Sequence, residues 1–390
     1  MDKQTLALHT PYQREDAYHA LSMPVYHTAA YEFADAATMG DAFCGRIDMP
    51  DYSRVGNPTV TYYERKVAAL TGADTVVALN SGMAAISNTL LALASSGKNI
   101  VTSRHMFGNT FDFITRTLRR FGVEARLCDL TDLKAVEAAV DTDTCCVFLE
   151  IITNPQMEVA DLAALSRIAH AKGAALVADT TVIPFTEFSA KSLGVDIEVV
   201  SSTKYLSGGA TSLGGLVMDY GTVEGFGKRM RTEMVFNLGA YMTPHAAYMQ
   251  TLGLETLQAR YAVQSQNALA LARLLQTLPA IKHVGYVGLP GNPYHELAAR
   301  QFGRTAGAML TIDLADRDAC FRFINRLKLI FRATNLFDNK SLAIHPASTI
   351  FGPFTDAERA EMDVLDTTIR LSVGLESVED LFADIKQALQ

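Results

Sequence analysis

The sequence predicts an α/β protein with a mainly parallel central sheet flanked by helices, followed by a smaller C-terminal α/β domain. Between residues 75 and 218, short apolar runs alternate with segments of helical periodicity, a pattern typical of βαβ units. The apolar runs are nearly continuous, so we expect both faces of these strands to be covered. The chain has 390 residues, too many for one compact core, which favours at least two domains.

The first part of the chain predicts an arm and then the large domain. Residues 1–55 carry prolines and many aromatics without a clean period, which favours an arm that contacts a neighbouring subunit. Residues 56–235 form the predicted large domain, which opens with a helix capped by Asn57 and started by Pro58. The elements expected after it are strands at 75–79, 100–102, 124–128, 144–151, 174–178, 197–200 and 213–218, with helices at 82–94, 109–120, 130–140 and 161–172.

The pattern changes after Val235, and residues 236–390 are expected to form the smaller domain. A long helical pattern covers 244–277, with Gly253 as an interruption. The elements expected after it are strands at 308–314 and 367–373 and helices at 318–328 and 377–389.

Composition excludes several function classes. The formal net charge is −8, and neither a basic run nor a basic–aromatic stripe occurs, so no nucleic-acid partner is expected. The chain has no apolar segment of bilayer-spanning length and no signal-peptide pattern, so we expect a cytoplasmic protein without a membrane partner. No metal spacing or disulfide framework is evident among the cysteines, which are Cys44, Cys128, Cys145, Cys146 and Cys320.

Lys204 is the first candidate for chemistry. It follows the apolar run 197–200, which reads as a buried strand, and burial lowers the pKa of an amine and makes it a usable nucleophile. Such a lysine can bond covalently to an aldehyde cofactor, and the hydroxyls of Ser201 and Thr203 could bind a phosphate on it. The alternative is a surface lysine beyond a strand end, with a turn at 208–209.

Three further candidates lie at predicted strand ends or within strands. Gly82 opens a helix after a strand, where backbone N–H groups make an anion site, although an ordinary turn has the same pattern. Asp179 ends an apolar strand and could pair with a protonated pyridine nitrogen, or could cap the next element. Arg370 lies among apolar residues and could bind a substrate carboxylate, or could form a structural ion pair.

Taken together, these segments resemble the pyridoxal-phosphate enzymes of cysteine and methionine metabolism. That family includes cystathionine γ-synthase, methionine γ-lyase and the O-acylhomoserine sulfhydrylases. The resemblance covers essentially the whole chain and implies the type I fold of pyridoxal-phosphate-dependent transferases. The matching segments are YSRVGNPT at 52–59, SGMAA at 81–85, the aspartate at 179, SSTKY at 201–205, HPAS at 345–348 and RLSVGLE at 370–376.

The resemblance implies pyridoxal 5'-phosphate as the cofactor and a role for each matching residue. Lys204 would hold the cofactor and shuttle protons, Asp179 would pair with the pyridine nitrogen, and Asn154 would contact the ring hydroxyl. The residues implied around the phosphate are Ser81, Gly82, Met83, Ser201 and Thr203.

The resemblance also implies an oligomer and a substrate contact. Tyr52 and Arg54 would reach the phosphate of a neighbouring subunit, which requires at least a homodimer, and the family is usually a dimer of dimers. Arg370 would hold the substrate carboxylate.

Two departures from the family pattern bear on the reaction. Phe107 stands where many members have a tyrosine stacked on the cofactor ring, so a stacking surface remains without a hydroxyl acid. Asn109 stands where methionine γ-lyases typically have a cysteine, and the segment 335–342 is more similar to sulfhydrylases. We therefore expect Lys204, Asp179 and Phe107 to be catalytic, and Asn335 to be a second substrate contact beside the arginine.

These features favour γ-replacement on an O-acylhomoserine, with the acetyl ester first, by sulfide or a thiol to give homocysteine or methionine. An ester needs less help from an acid than a thiolate leaving group does. The alternatives are γ-elimination from methionine, then a cystathionine γ-synthase or lyase, and a non-catalytic relative. The acyl group, the thiol and the choice between dimer and tetramer stay open.

Overall fold

A central sheet organises the large domain in this computed structural model, which describes residues 1–12, 18–303 and 305–390. Within that part of the chain the sheet has seven strands in the order β1-β7-β6-β5-β4-β2-β3. The strands are β1 (Thr75–Leu79), β2 (Asn99–Thr102), β3 (Glu124–Leu127), β4 (Thr144–Glu150), β5 (Ala175–Asp179), β6 (Ile197–Val200) and β7 (Gly215–Asp219). The pairs from β3 to β6 are parallel, which confirms the predicted sheet, whereas β7 runs antiparallel to both of its neighbours.

Helices flank this sheet and build the second domain. The α-helices are α1 (Lys3–His9), α2 (Ala36–Phe43), α3 (Pro58–Thr71), α4 (Gly82–Leu93), α5 (Gly108–Asp112), α6 (Leu133–Ala139), α7 (Leu162–His170), α8 (Phe226–Arg229), α9 (Pro244–Glu255), α10 (Leu257–Leu275), α11 (His295–Phe302), α12 (Arg317–Arg326), α13 (Asp356–Glu361) and α14 (Val378–Ala388). Two π-helical segments continue α5 and α8, at Phe113–Thr117 and Met230–Leu238. Short 3-10 turns lie at Leu118–Phe121, Lys191–Leu193, Tyr205–Ser207 and Pro346–Ser348.

The central sheet is covered on both faces, as its continuous apolar strands predict. Alternate residues of β1 enter different core layers, with Val76 and Ala78 on one side and Val77 and Leu79 on the other. All four residues of β6 are buried. Such two-sided burial places the polar residues that follow the strands at the sheet edge, which is where ligands bind in open α/β sheets.

The antiparallel strand β7 places a glycine, which has no side chain, at that edge. Because β7 runs opposite to its neighbours, its first residue, Gly215, lies beside Leu79 at the carboxyl end of β1. A Cβ atom at Gly215 would stand 2.0 Å from the carbonyl oxygen of Ser81, just before α4. Only glycine allows this close approach between β7 and the start of α4.

The smaller domain contains a second sheet in the order β10-β11-β12-β9-β8. Its strands are β8 (His283–Gly285), β9 (Met309–Asp313), β10 (Phe331–Arg332), β11 (Leu342–Ile344) and β12 (Thr368–Ser372). Only the pair β10–β11 is parallel among the described strand pairs of this sheet. Helices α10, α12 and α14 pack together in this domain.

The long helix predicted over 244–277 is two helices that meet at Thr256, three residues after Gly253. The first of them, α9, packs on α3 and on the 3-10 turn Tyr205–Ser207, both of the large domain. The predicted domain boundary at residue 235 stays a prediction.

The start of the predicted arm contacts its own chain. Helix α1 packs against α3 and α9, and Lys3 Nζ donates hydrogen bonds to the carbonyl oxygens of Phe185 and Phe188 at 2.5 and 3.0 Å. Contact of the arm with a neighbouring subunit stays a prediction, and residues 13–17 of it lie outside the described residues. No helix in the described part of the chain is both long and apolar enough to cross a membrane.

Candidate active site

Four charged side chains converge where the central sheet meets the second sheet. Glu150 ends β4 and Asp179 ends β5, and the two residues are paired in the parallel register. Lys204 follows β6, and Arg370 comes from β12 of the smaller domain. Strand ends of a parallel sheet meet at one edge, so residues that are distant in sequence share one cleft.

Lys204 has the environment of a reactive amine. Its Nζ donates a hydrogen bond of 2.7 Å to Oδ1 of Asn335. Burial and then the charge of Arg370 lower the pKa of Lys204 to about 8, while the charge of Asp179 opposes this shift. An amine with a lowered pKa is available as a nucleophile or a base. The hydrogen bond to Asn335 places the Lys204 side chain against the smaller domain, which argues against the surface-lysine alternative.

Asp179 both caps a turn and keeps one oxygen free. Its Oδ1 accepts hydrogen bonds from the backbone N–H and the hydroxyl of Thr181, at 2.9 and 2.5 Å. No described residue donates to Oδ2 of Asp179. Burial raises the pKa of Asp179, while the bonds from Thr181 and the charge of Lys204 oppose this. A protonated pyridine nitrogen is a donor that would satisfy the free oxygen.

Glu150 is a site residue that the sequence analysis did not assign. It is 9% exposed, its Oε1 accepts from the backbone N–H of Phe107 at 2.8 Å, and its Oε2 accepts from that of Asn154 at 3.1 Å. Burial and then the charge of Asp179 raise the pKa of Glu150 to about 8. A lone carboxylate at the end of an apolar strand was the signal in the sequence that could have revealed it.

Arg370 is a buried cation without a carboxylate partner. It is 3% exposed, and its Nη1 donates to Oδ1 of Asn154 at 3.1 Å. Its Nη2 donates to the carbonyl oxygens of Thr334 and Asn335, at 3.1 and 3.4 Å. Within the described ranges, no carboxylate oxygen lies within 4.0 Å of its guanidinium. The structural ion pair considered from the sequence is therefore not observed, and a ligand carboxylate could complete the site.

The start of α4 has the features of an anion site. Ser81 caps this helix, because its Oγ accepts from the N–H of Ala84 at 3.1 Å, and the first N–H groups of a helix have no partner within it. A Cβ atom at Gly82 would lie 2.5 Å from Cβ of Ser201, so glycine brings the Ser201 hydroxyl to the helix start. That hydroxyl has no hydrogen-bond partner among the described residues, which suits a phosphate.

Thr203 and Met83 lie in the same region but with partners of their own. The Thr203 hydroxyl donates to the carbonyl oxygen of Gly214 at 3.2 Å and accepts from its N–H at 3.0 Å. The sulfur of Met83 accepts a hydrogen bond of 3.7 Å from the hydroxyl of Thr110. The phosphate contacts expected of Thr203 and of the Met83 backbone stay predictions.

Tyr52 and Arg54 lie apart from this cluster within the chain. Arg54 donates to the carbonyl oxygen of Phe236, and its guanidinium lies 5.5 Å from the ring centres of both Tyr52 and Phe236. Tyr52 is 43% exposed, and no contact joins either residue to Lys204 in the described parts of the chain. Their predicted role at the site of a neighbouring subunit stays a prediction.

Pyridoxal phosphate fits the residues that the structure brings together. The helix start at Gly82 with the free Ser201 hydroxyl matches its phosphate, the free oxygen of Asp179 matches its ring nitrogen, and the amine of Lys204 matches its aldehyde. Asn335, expected at the substrate, contacts the lysine amine instead in this structure.

Comparisons with known proteins bear on the family and on the cofactor. The sequence profile of the family described as Cys/Met metabolism PLP-dependent enzyme matches residues 4–390. The chain is 39% identical over 368 residues to an O-succinylhomoserine sulfhydrylase of Pseudomonas aeruginosa, with 94% of this chain and 90% of the relative covered. It is 37% identical over 378 residues to an L-methionine gamma-lyase of Porphyromonas gingivalis, with 96% and 94% covered.

Solved structures are similar over the whole chain. A putative O-acetylhomoserine (thiol)-lyase from Campylobacter jejuni, which carries N'-pyridoxyl-lysine-5'-monophosphate, has a TM-score of 0.95 at 34% identity, with 100% of both chains covered. The metB protein of Corynebacterium glutamicum has a TM-score of 0.90 at 30% identity, with 100% of this chain and 98% of that chain covered.

Proposed function

Because the chain belongs to the Cys/Met metabolism PLP-dependent enzyme family, we propose that it catalyses γ-replacement on an O-acylhomoserine. The acyl ester, with O-acetylhomoserine preferred, is replaced by sulfide or a small thiol, and the products are homocysteine or methionine and the free carboxylic acid. The O-succinylhomoserine sulfhydrylase of Pseudomonas aeruginosa acts in this chemistry by its name. The TM-score of 0.95 to the putative O-acetylhomoserine (thiol)-lyase supports the same assignment.

This proposal depends on the absence, among the described residues of the site, of a tyrosine hydroxyl that could act as a general acid. Phe107, whose backbone is held by Glu150, has no hydroxyl. Tyr205 follows the lysine, but its ring is buried and stacked on Phe337 at 4.1 Å, and its hydroxyl accepts from the N–H of Ala308. No tyrosine hydroxyl contacts the four charged residues among the described contacts. An ester can leave as a stable carboxylate, whereas a thiolate benefits more from a proton donor.

The chain's own residues have separate roles in the proposed reaction. When bound, pyridoxal phosphate supplies an electron sink for negative charge that develops on the substrate. Arg370 binds the substrate carboxylate through its unpaired guanidinium and so fixes the Cα–H bond near the lysine. Lys204 accepts the proton from Cα, since its lowered pKa keeps part of the amine neutral near pH 8. Asp179 keeps the pyridine nitrogen protonated by pairing its free oxygen with the N–H.

A substrate panel tests the proposal. Purified enzyme is given O-acetylhomoserine, O-succinylhomoserine or methionine, each with and without sulfide, and homocysteine, 2-oxobutanoate and methanethiol are measured. We expect homocysteine from at least one acyl ester only when sulfide is present. No homocysteine from either ester would reject the proposal.

Methionine γ-elimination is the second candidate, because a relative of nearly full length at 37% identity bears the name L-methionine gamma-lyase. The same panel separates the two. Release of 2-oxobutanoate and methanethiol from methionine alone, faster than homocysteine from the esters, would assign the lyase activity.

We also propose that the active enzyme is a homo-oligomer, with a dimer of dimers preferred. Tyr52 and Arg54 carry this proposal, because a partly exposed phenol and a guanidinium stand away from their own chain's site and are suited to a phosphate. Light scattering gives the mass, and an Arg54→Ala variant should bind the cofactor more weakly if its charge completes a neighbouring site.

A further inference from the structure

Glu150 joins two loops that carry different parts of the site. One of its carboxylate oxygens accepts from the N–H of Phe107, and the other accepts from the N–H of Asn154. We propose that Glu150 is a positioning residue that fixes the loop of Phe107 relative to the loop of Asn154, and so sets the fit of the cofactor ring between them. This rests on the cofactor contacts assigned to Phe107 and Asn154.

The geometry requires a carboxylate rather than any polar side chain. Both N–H groups are donors, so the bridging side chain must offer two acceptor atoms that point toward different loops. Glutamine offers one acceptor and one donor, so one of the two N–H groups would face an NH₂ group. A buried donor without an acceptor is costly, and the loop that carries it would move.

The same carboxylate is linked to the substrate-binding arginine. Asn154, whose N–H bonds to Glu150, accepts from Arg370 Nη1 through its side-chain oxygen. Burial lowers the pKa of Arg370, and the ionised form of Glu150 opposes that shift. The contacts proposed for Phe107 with the cofactor ring, for Asn154 with the ring hydroxyl and for Arg370 with the substrate carboxylate therefore all depend on Glu150. Such hydrogen-bond networks are expected to respond together when the shared residue is changed.

Glu158 provides a matched control. It lies in the same segment as Asn154 and contacts the same preceding loop, because its Oε2 lies 2.6 Å from Nδ1 of His105. The other ring nitrogen of His105 lies 2.9 Å from Oδ2 of Asp363 in the smaller domain. Glu158 accepts from neither the Phe107 nor the Asn154 N–H. It therefore connects the same loops without contacting either backbone N–H group that Glu150 binds.

The experiment compares Glu150→Gln with Glu158→Gln in the full chain. For each variant and the wild type, the cofactor is removed and pyridoxal phosphate is titrated back to obtain its Kd, and the visible circular dichroism of the loaded protein and the melting temperature are recorded. We expect Glu150→Gln to raise the Kd at least about tenfold and to reduce the visible dichroism. Glu158→Gln should stay within about twofold of wild type in Kd, whatever its melting temperature.

Two results would overturn the proposal. One is a Glu150→Gln protein that melts earlier but has wild-type Kd and dichroism, because its role would then be structural only. The other is wild-type cofactor affinity in both Phe107→Ala and Asn154→Ala, because the two loops would then not set the fit. If Glu150→Gln does not fold, Glu150→Asp replaces it: its shorter side chain cannot reach both N–H groups, and wild-type Kd and dichroism there would also overturn the proposal.

These measurements use no substrate. A failed sulfhydrylase assay would therefore reject the proposed reaction and leave this inference standing, whereas an unchanged Kd in the Glu150 variants would reject this inference and leave the reaction standing.

Discussion

Arg370 and Lys66 are both buried cations, but the protein treats them differently. Lys66 has no exposed surface, and its Nζ lies 2.8 Å from the carboxylate of Glu255. Arg370 is almost as buried, yet its hydrogen bonds within the described parts of the chain go to neutral oxygens of Asn154, Thr334 and Asn335. A buried charge without a counter-charge is costly, so its persistence at the cleft indicates a place kept for a charged ligand.

Two acids on neighbouring strands show the same contrast. Glu198 on β6 has no exposed surface, and its two oxygens accept from the hydroxyls of Thr180 and Tyr220. Asp179 at the end of β5 has both of its hydrogen bonds on one oxygen. Inside the sheet the polar groups are satisfied by the protein, whereas at the cleft part of their bonding capacity is left for another molecule.

The largest expected effect concerns Lys204, the reactive amine of the cleft. Lys204→Ala should lower kcat by more than about 10³-fold, because it removes both the covalent anchor and the base. It should also abolish the visible absorption of lysine-bound pyridoxal phosphate. Steady-state rates and absorption spectra of the purified variant provide the measurement, and retention of either signal would contradict the role assigned to this amine.

The next effect separates the two cations directly. Arg370→Ala should weaken substrate binding by about 2–5 kcal/mol, which raises KM by about 30-fold to several thousandfold. The free energy of unfolding should not fall by a similar amount, because the side chain has no carboxylate partner among the described residues. Arg322→Ala, an exposed arginine of the same domain, is the control and should change neither quantity. An unchanged KM would show that the carboxylate binds elsewhere.

The structural cation should give the opposite result. Glu255→Ala leaves the ammonium of Lys66 buried without its counter-charge, and we expect a loss of about 2 kcal/mol in the free energy of unfolding. Part of Glu255 is exposed, which keeps the loss below that of a fully buried pair. Urea unfolding measures this loss, and KM should stay at the wild-type value. A raised KM with unchanged stability would remove the distinction between the two cations.

The smallest expected effect concerns the hydroxyl that the cleft lacks. Phe107→Tyr should raise elimination from methionine by up to about tenfold, because a phenol could donate a proton to the leaving thiolate. Replacement on the acyl ester should change by less than about twofold, since the carboxylate leaves without that help. The ratio of 2-oxobutanoate to homocysteine measures both, and Phe111→Tyr, a ring packed on Phe354 of the smaller domain, is a control outside the site.

Much of the fold was predictable because local patterns determine it. Apolar runs and a capping residue predicted the strands and helices of the large domain, and Asn57 does cap its helix. Strand direction has no local signal, so the antiparallel course of β7 was not predicted. The break between α9 and α10 was expected at Gly253, but that glycine lies inside α9, where a Cβ atom would stand 2.0 Å from the carbonyl oxygen of Leu206.

The site was predictable where a polar residue follows an apolar strand, as with Lys204 and Asp179. Glu150 was missed because the predicted strand 144–151 continues past it, whereas the strand ends at Glu150 and pairs it with Asp179 at the cleft. The contact between the Lys204 amine and Asn335 spans 131 residues of sequence, and no local pattern encodes such a pair. The absence of a carboxylate beside Arg370 likewise depends on the whole packing of two domains.

The close approach of β7 to the start of α4 has a practical consequence for engineering. Any side chain at Gly215 would push the carbonyl oxygen of Ser81 and displace the first amides of α4, where the phosphate is proposed to bind. Random mutagenesis would therefore identify Gly215 as a cofactor-binding position, although its effect on cofactor binding is only steric. Mutant libraries designed to widen the range of thiol acceptors should keep this glycine and vary other residues of the site.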